Sequence, residues 1–598
     1  MDVATLTIPR HRPHSRAFPV LASMPVRPSL FHLATIRRGA AVRVVAGVAS
    51  AIATACAVAC GGAAPARATT GDDIGGTVIV ATAADPGLLL PPLATSTQAS
   101  AAIDQVYDRL ADLGDSLNTI GDRGFRRRLS DRWTWAKDSL SVSFHLAPAA
   151  RWHDGQPVRA RDVVFSFALY TDPATASPLA PLLSNVDSVT ATDSLTATFW
   201  YKRRLPTQFY DVTYNLYVLP EHLLASAPHD RLAGTEFARH PVGSGRFRFA
   251  SWAPNQRLEL AADANNYRGR PKLDRVVWSV APDYGTATIQ VLAGDADFFE
   301  NLRPESFGQP ARLRTVRLVP YPSLDYGFLQ FNLRAADGSA RPHPLFADRD
   351  LRRALTMAVD RARIVRNAFD SLADVAVGPV PRALFPDWRQ LRQLPYNVAA
   401  ARSLLDTLGW RPGPDGVRAK GGAPLAFTVL VPTSSLVRQR LAVLLQEQLR
   451  FVGARVTIQP LDLNAFGERE RARTFDAVVG GWHTDPSPVS VRQTWGSAGA
   501  RVAGGSNFGS YESPAFDAQV DSALFTSDPA KARPHWLRAY QTIVDDAPAV
   551  WLFEPRLVAG VHRRVRVVDL RADGWWTRLG DWSIPARERI GRDRVGLR

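Results

Sequence analysis

The sequence predicts an α/β protein of several domains, and three observations carry that reading. At 598 residues the chain exceeds what one hydrophobic core organises. Apolar runs of strand period alternate with longer runs of helical period, the order that builds strand–helix–strand units. Cysteine is confined to Cys56 and Cys60, which excludes a disulfide framework or a Cys-based metal cluster from the rest of the chain.

The elements follow in order. Residues 1–60 read as an export segment. Arg37, Arg38 and Arg43 form its positive flank, and Val44 to Val58 its apolar, small-residue run. That run is too short for a spanning helix, which needs about 20 apolar residues. Ala57, Val58, Ala59 and Cys60, followed by two glycines, resemble a bacterial lipobox in which the Cys is acylated after cleavage. Ala57 stands where Leu is usual, and Cys56 fits the pattern less well. The other reading is a plain secretory signal cleaved near Ala66 or Ala68. Met24 is an alternative start, because residues 1–23 precede what reads as a complete signal. Residues 61–75 have the composition of a flexible tether.

Thr77 to Ala84 reads as a buried strand. Leu140, Val142, Phe144 and Leu146 alternate with polar neighbours, as a half-buried strand requires. Asp154, Gly155 and Pro157 mark a turn, and Asp162 to Tyr170 a helix. Gly243 and Gly245 are expected to let the backbone turn. Val276 to Trp278 and Phe328 to Leu333 are strands. Leu351, Leu355, Val359, Ala362 and Val365 keep helical spacing over one helix. Tyr396 to Leu408 is a second amphipathic helix, closed by Gly409. Phe427 to Val431, the helix Val437 to Phe451 and Arg455 to Ile458 make one strand–helix–strand unit. Asp476 to Trp482 is a buried strand rising into a loop. Ser513 with Pro514 starts a helix, Asp528 caps the next, and Ala547 to Phe553 is a final strand.

These blocks, in this order, resemble the extracytoplasmic solute-binding proteins of family 5, the dipeptide- and oligopeptide-binding proteins of ABC importers. The family's "FxL…WxDGxPvtAxDVvfSf" is met by Phe144, Leu146, Trp152, Asp154, Gly155, Pro157, Ala160, Asp162 and Phe165. Further matches are Pro241, Gly243, Gly245 and Phe247; Asn266, Tyr267 and Pro271; Asp348 to Val365; Leu404, Leu405, Gly409 and Trp410; and Asn507, Tyr511, Ser513, Phe516 and Asp517. The resemblance spans residues 76 to 560. It implies a two-lobed, type 2 periplasmic-binding-protein flytrap with an additional inserted domain. The first lobe is then discontinuous (76–105, 240–325 and 545–598), the inserted domain is 106–239, and the second lobe is 326–544.

Charge and motifs narrow the function. The net charge is +16, with 72 Lys and Arg of which only five are Lys. The arginines are scattered rather than clustered, and neither zinc-finger spacing nor an RNP-type aromatic motif occurs, so nucleic acid is not an expected partner. No H-E-x-x-H, G-x-S-x-G or G-x-x-x-x-G-K-S/T pattern occurs either. No catalytic residue, metal or cofactor is therefore expected. His153 is expected to be an exposed loop residue, and Trp152, Asp154 and Asp162 to be structural.

What the resemblance implies is capture of a peptide-like solute between two lobes and its delivery to the transmembrane subunits of an ABC permease. The protein would be a monomer in the periplasm or on the outer face of the cytoplasmic membrane, held there by a lipid on Cys60 alone. In peptide-binding relatives an acidic residue three positions after the Trp of the 476–482 strand pairs with the ligand's α-ammonium. Here that residue is Asp485. A terminal charge swallowed between lobes must be paired. The competing reading has Asp485 opening a turn and capping backbone amides. Main-chain contacts are expected from Gly481, Trp482 and His483, and from Ser96 and Thr97, with Trp482 as an aromatic wall or a core residue. A relative carries Arg where this chain has Val479, which removes one anchor for a ligand carboxylate. The alternatives are a non-peptide solute (a sugar, metal chelate or opine) and a secreted hydrolase with catalytic residues that the motifs do not show.

Overall fold

The computed structural model describes residues 74–94, 96–302, 314–502, 505–526 and 528–594. The expectations for the export segment, for Cys56 and Cys60, and for nearly all of the tether lie outside the described residues.

A large mixed sheet runs through the molecule in the strand order Arg455–Leu461, Ala426–Pro432, Ala477–His483, Asp325–Phe331, Ala549–His562, Phe298–Phe299, Thr77–Thr82, Arg275–Val280, Arg257–Ala262, Phe247–Ala253. Its two halves are joined by one strand of 14 residues, Ala549–His562. The start of that strand pairs antiparallel with Asp325–Phe331, ending at Gly327 opposite Phe553. Its remainder pairs with Val316–Pro322, beginning at Pro322 opposite Arg556. The chain therefore crosses between the halves twice, side by side, at Ser323–Leu324 and at Glu554–Pro555. Each half has its own buried core. One centres on Val78, Leu258, Trp278 and Val561, the other on Leu329, Val429, Leu445 and Val550. This is a two-lobed α/β fold.

A four-stranded antiparallel sheet stands on the first lobe, in the order Ser130–Trp135, Ser141–Leu146, Thr196–Tyr201, Val186–Ala191. Alternation along Ser141–Leu146 buries Val142, Phe144 and Leu146, as the sequence pattern demands. These side chains belong to the same core as Val78 and Trp278, so the small sheet is fused to the lobe rather than merely tethered.

Two buried arginines fasten distant segments. Arg128 donates to Asp108 (2.8 Å), Asp104 (3.0 Å) and Asp112 (2.7 Å), and to the carbonyls of Asp104 (2.6 Å) and Tyr107 (2.8 Å). Arg564 grips Asp297 through two bonds (2.7 and 2.8 Å), Asp593 (2.7 Å) and the Thr77 carbonyl (2.9 Å). Both guanidiniums are thus met by carboxylates and carbonyls, which buried charge requires.

Four sequence expectations need correction. The single helix read over Asp348 to Val365 is two, Arg349–Met357 and Arg361–Phe369. Asp360 interrupts the apolar period, and its carboxylate caps the second helix by accepting from the Arg363 amide at 2.9 Å. Gly243 and Gly245 are needed for close backbone approach, since neither has a positive φ. A Cβ on Gly243 would lie 1.8 Å from the Val106 carbonyl oxygen, and one on Gly245 2.1 Å from that of Gln105. His153 is half-buried rather than exposed. Its Nε2 lies 2.9 Å from the Gly245 carbonyl and its Nδ1 accepts from the Gly243 amide at 3.2 Å, which fixes a neutral ring; burial lowers its pKa further. The final strand continues beyond Phe553 to His562, because that second stretch completes the first lobe. The caps at Ser513 and Asp528 form as expected.

Candidate ligand-binding cleft

The strand Ala477–His483 builds the centre of the cleft. Ala477 to Gly480 are buried, Gly481 and Trp482 are half-buried, and His483 is exposed. One edge pairs with Asp325–Phe331 along its whole length. The other pairs with Ala426–Pro432 only at Ala477 and Val478. From Val479 onward that second edge has no strand partner among the described residues.

Two cavities flank this strand end. The smaller, about 470 Å³, is lined by Asp325, Phe369, Arg438, Gly481, Trp482, His483, Phe553 and others. Asp325 and Phe553 adjoin the two crossovers, so whatever fills this cavity touches the junction of the lobes. The larger, about 600 Å³ and mostly apolar, is lined by Thr484, Pro486 and Ser487, by Trp536 and Tyr540, and from the N-terminal side of the chain by Ser116 to Ile120. Thr119 Oγ1 reaches the Pro486 carbonyl at 3.5 Å across this gap. Both volumes are in the range of small-molecule sites, and the residues 484–487 divide them.

Asp485 lies among these residues, but it is exposed and lines neither cavity itself. Its Oδ1 accepts from the Ser487 amide at 2.8 Å, so the turn-capping reading is realised. The remaining oxygen, Oδ2, accepts no hydrogen bond from the described residues. Burial raises the Asp485 carboxyl, and the Ser487 amide and His483 oppose it. Facing it is the helix Gln208–Tyr214. Burial there pushes Asp211 up to about 7 against a hydrogen bond from Thr207, and the charge of Asp485 adds to the rise. The two carboxyls thus raise each other's field, a setting that favours a cationic guest.

His483 Nδ1 lies 3.0 Å from Asp325, and this hydrogen bond raises the imidazole pKa. Trp482 stacks on Phe508 at 5.3 Å between ring centroids while lining the smaller cavity, so it is a packed residue and a wall at once. Gly481 keeps the cavity open: a Cβ there would meet the Tyr326 carbonyl at 3.0 Å and the Arg438 guanidinium at 3.4 Å. The fold brings Gly481, Trp482, His483 and Asp485 together but places Ser96 and Thr97 elsewhere. Ser96 is the N-cap of the helix Thr97–Val106, its hydroxyl accepting from Ala99 at 3.1 Å and donating to Pro86 at 3.3 Å, and neither residue lines the two cavities. Sequence reasoning missed Asp211, Asp325 and Arg438. Among the described residues no cluster of three His, Cys, Asp or Glu side chains could hold a metal ion, and no helix is long and apolar enough to cross a membrane.

Two lobes joined by paired strand crossovers, with a cleft at the junction, define a ligand-enclosing protein of the type 2 periplasmic-binding fold. Residues 125–501 match the bacterial extracellular solute-binding proteins, family 5 Middle, and the chain belongs to this family. The oligopeptide-binding protein AppA of Bacillus subtilis is 26% identical over 489 residues, covering 80% of this chain and 86% of AppA. The structure of AppA in complex with a nonapeptide matches with a TM-score of 0.65 at 25% identity, over 86% of this chain and 99% of AppA. The glutathione-binding protein GsiB of Pectobacterium atrosepticum is 24% identical over 518 residues, 81% of this chain and 94% of GsiB. The ABC transporter substrate-binding protein CtaP of Listeria monocytogenes shares the fold, with a TM-score of 0.73 at 21% identity over 86% of this chain and all of CtaP.

Proposed function

We propose that the protein captures a peptide-like solute between its lobes and hands it to the transmembrane subunits of an ABC permease. The observation that carries this reading is the strand end Gly481 to His483, which leaves the core and lines the cavity at the lobe junction. An extended peptide adds to such a strand through main-chain hydrogen bonds. The second oxygen of Asp485, with Asp211 opposite, supplies the pairing that a swallowed ammonium needs. The oligopeptide and glutathione binding in the names of AppA and GsiB supports a solute of this class. In the same reading the protein acts as a monomer, Cys60 carries the lipid that holds it at the membrane, and the lobes divide as 76–105, 240–325 and 545–598 against 326–544, with 106–239 inserted.

Native mass spectrometry of the purified protein should show a retained species with a peptide mass. Asp485→Asn should weaken a free-amine peptide and should spare the N-acetylated form. Equal losses for both forms would assign Asp485 to the turn alone.

A further inference from the structure

We propose that a cluster of arginines on the first lobe, Arg314, Arg317, Arg563, Arg566 and Arg587, docks on the anionic headgroups of the membrane to which Cys60 leads. The proposal rests on the lipid anchor above and adds a second contact, made by the folded lobe itself. The five residues are scattered through the sequence and gathered by the fold. Arg317 lies on the strand Val316–Pro322, its Nη2 donating to the Val565 carbonyl at 2.9 Å. Arg563 Nε donates to the Arg314 carbonyl at 2.9 Å. Arg566 donates through Nη1 to the Arg563 carbonyl and pairs through Nη2 with Glu588. Arg587 precedes that glutamate in the short turn Ala586–Glu588.

These charges are poorly compensated. Among the described residues, Glu588 is the one carboxylate that reaches any of the five; it pairs with Arg566 and lies 4.0 Å from Arg587. Burial lowers the Arg317 pKa, and the charges of Arg566 and Arg563 lower it further, as like charges held close must. Arg564 turns inward instead and is met by Asp297 and Asp593. The lobe therefore pairs the arginine it buries and leaves Arg314, Arg563, Arg566 and Arg587 exposed. Charge and the path of the chain together name the occupant. Arg589, next after Glu588, donates to the Ile74 carbonyl at 2.8 Å, so the described chain begins beside the cluster. Thirteen residues, 61–73, separate Ile74 from Cys60, and even fully extended they span at most about 50 Å. A lipid on Cys60 holds the cluster within that reach of the headgroups, where tethering raises the effective concentration. Each arginine then gains from an anionic surface once it comes within a Debye length, about 8 Å at physiological salt. Ile74, bonded to Arg589, and Ile590, beside it in the chain, are both exposed and supply apolar contact at the headgroup boundary.

The test is co-sedimentation of the whole chain bearing Cys60→Ala, so that no lipid anchor contributes. The probes are vesicles of phosphatidylcholine alone and of phosphatidylcholine mixed with phosphatidylglycerol. The protein should prefer the mixed vesicles, and the preference should fade as salt rises. Arg563→Gln, Arg566→Gln and Arg587→Gln together should lower partition to the mixed vesicles on the order of 10- to 100-fold. The same triple substitution should leave partition to phosphatidylcholine and the urea midpoint unchanged. Glu588→Gln should raise partition to the mixed vesicles by removing the opposing charge. Equal partition to the two vesicles, or a preference that survives the triple substitution, overturns the assignment and leaves the cluster a solvated basic face. Binding that requires vesicles carrying other membrane proteins overturns it in favour of an acidic protein surface. Every arm lacks Cys60, so failure here spares the lipid anchor; the anchor fails separately, in a wild type that is soluble and begins past Cys60.

Discussion

Replacing Arg128 with Met strips a guanidinium from a buried nest of carboxylates. Five hydrogen bonds vanish, to Asp104, Asp108, Asp112 and two carbonyls. Asp104 keeps Arg109 at 3.3 Å and Asp108 keeps Arg268 at 2.6 Å. Breaking a buried pair costs about 3–5 kcal/mol, and these surviving partners put the expected loss near 3 kcal/mol, a factor of more than about 100 in the folding equilibrium. The pH dependence carries a second signature. Burial alone would raise Asp104 and Asp108, but Arg128 with Arg109, and Arg268 with Arg128, hold both below the usual carboxylate range. Their contribution in the wild type is therefore present above pH 3.8 and is lost only as pH falls through the lower folded values. Without Arg128 the burial penalty is less opposed, both folded pKa values climb, and protonation relieves the mutant as pH drops. Urea titration followed by tryptophan fluorescence at pH 7.5 and 4.5 should show the deficit shrinking at the lower pH. A loss under about 1 kcal/mol at pH 7.5, or one that does not shrink, refutes the reasoning.

Three other outcomes are expected. Gly327→Ala puts a Cβ 2.1 Å from the Phe553 ring; the ring must move within the smaller cavity, so solute affinity should fall in calorimetry even where the urea midpoint moves little. Asp211 and Glu470 both sit at about 7, chiefly through burial; raised folded values stabilise below the unfolded pKa and are lost as pH rises through about 7. Stability measured at pH 5 and 7.5 should therefore fall with pH, and Asp211→Asn with Glu470→Gln should flatten that slope. Cys60→Ala should move the protein from the membrane fraction to the soluble fraction; a wild type that is already soluble and begins at Arg67 or Thr69 would count against lipidation.

What was legible in the sequence was local. The alternation in 141–146, the caps at Ser513 and Asp528, and the apolar run 476–482 each announce themselves within a few residues, because period and capping are short-range physics. The strand carrying Gly481 to His483 could be found for that reason. Arg128 and Arg438 look alike in the sequence, as do most of its arginines. One is saturated by carboxylates 16 to 24 residues away, and the other, on the helix Leu436–Arg450, lies beside a glycine on the strand Ala477–His483. Asp211 gives no signal, since its partner across the cleft is Asp485. His153 and Gly243 misled for the same reason: each answers to a distant segment, His153 to the Gly243 amide at 3.2 Å and Gly243 to the Val106 carbonyl.

The buried grip of Arg564 also sets a clock. The first strand, Thr77–Thr82, takes its capping bond at the Thr77 amide from Asp593, 516 residues later, and its carbonyl bond from Arg564. At about 5–20 residues per second a ribosome needs roughly 25 to 100 s to make the intervening chain. Until then the strand that enters first has its parallel neighbour Arg275–Val280 but not the residues that lock it. The lock on Thr77–Thr82 therefore forms only after residue 593 has been made, long after the strand itself.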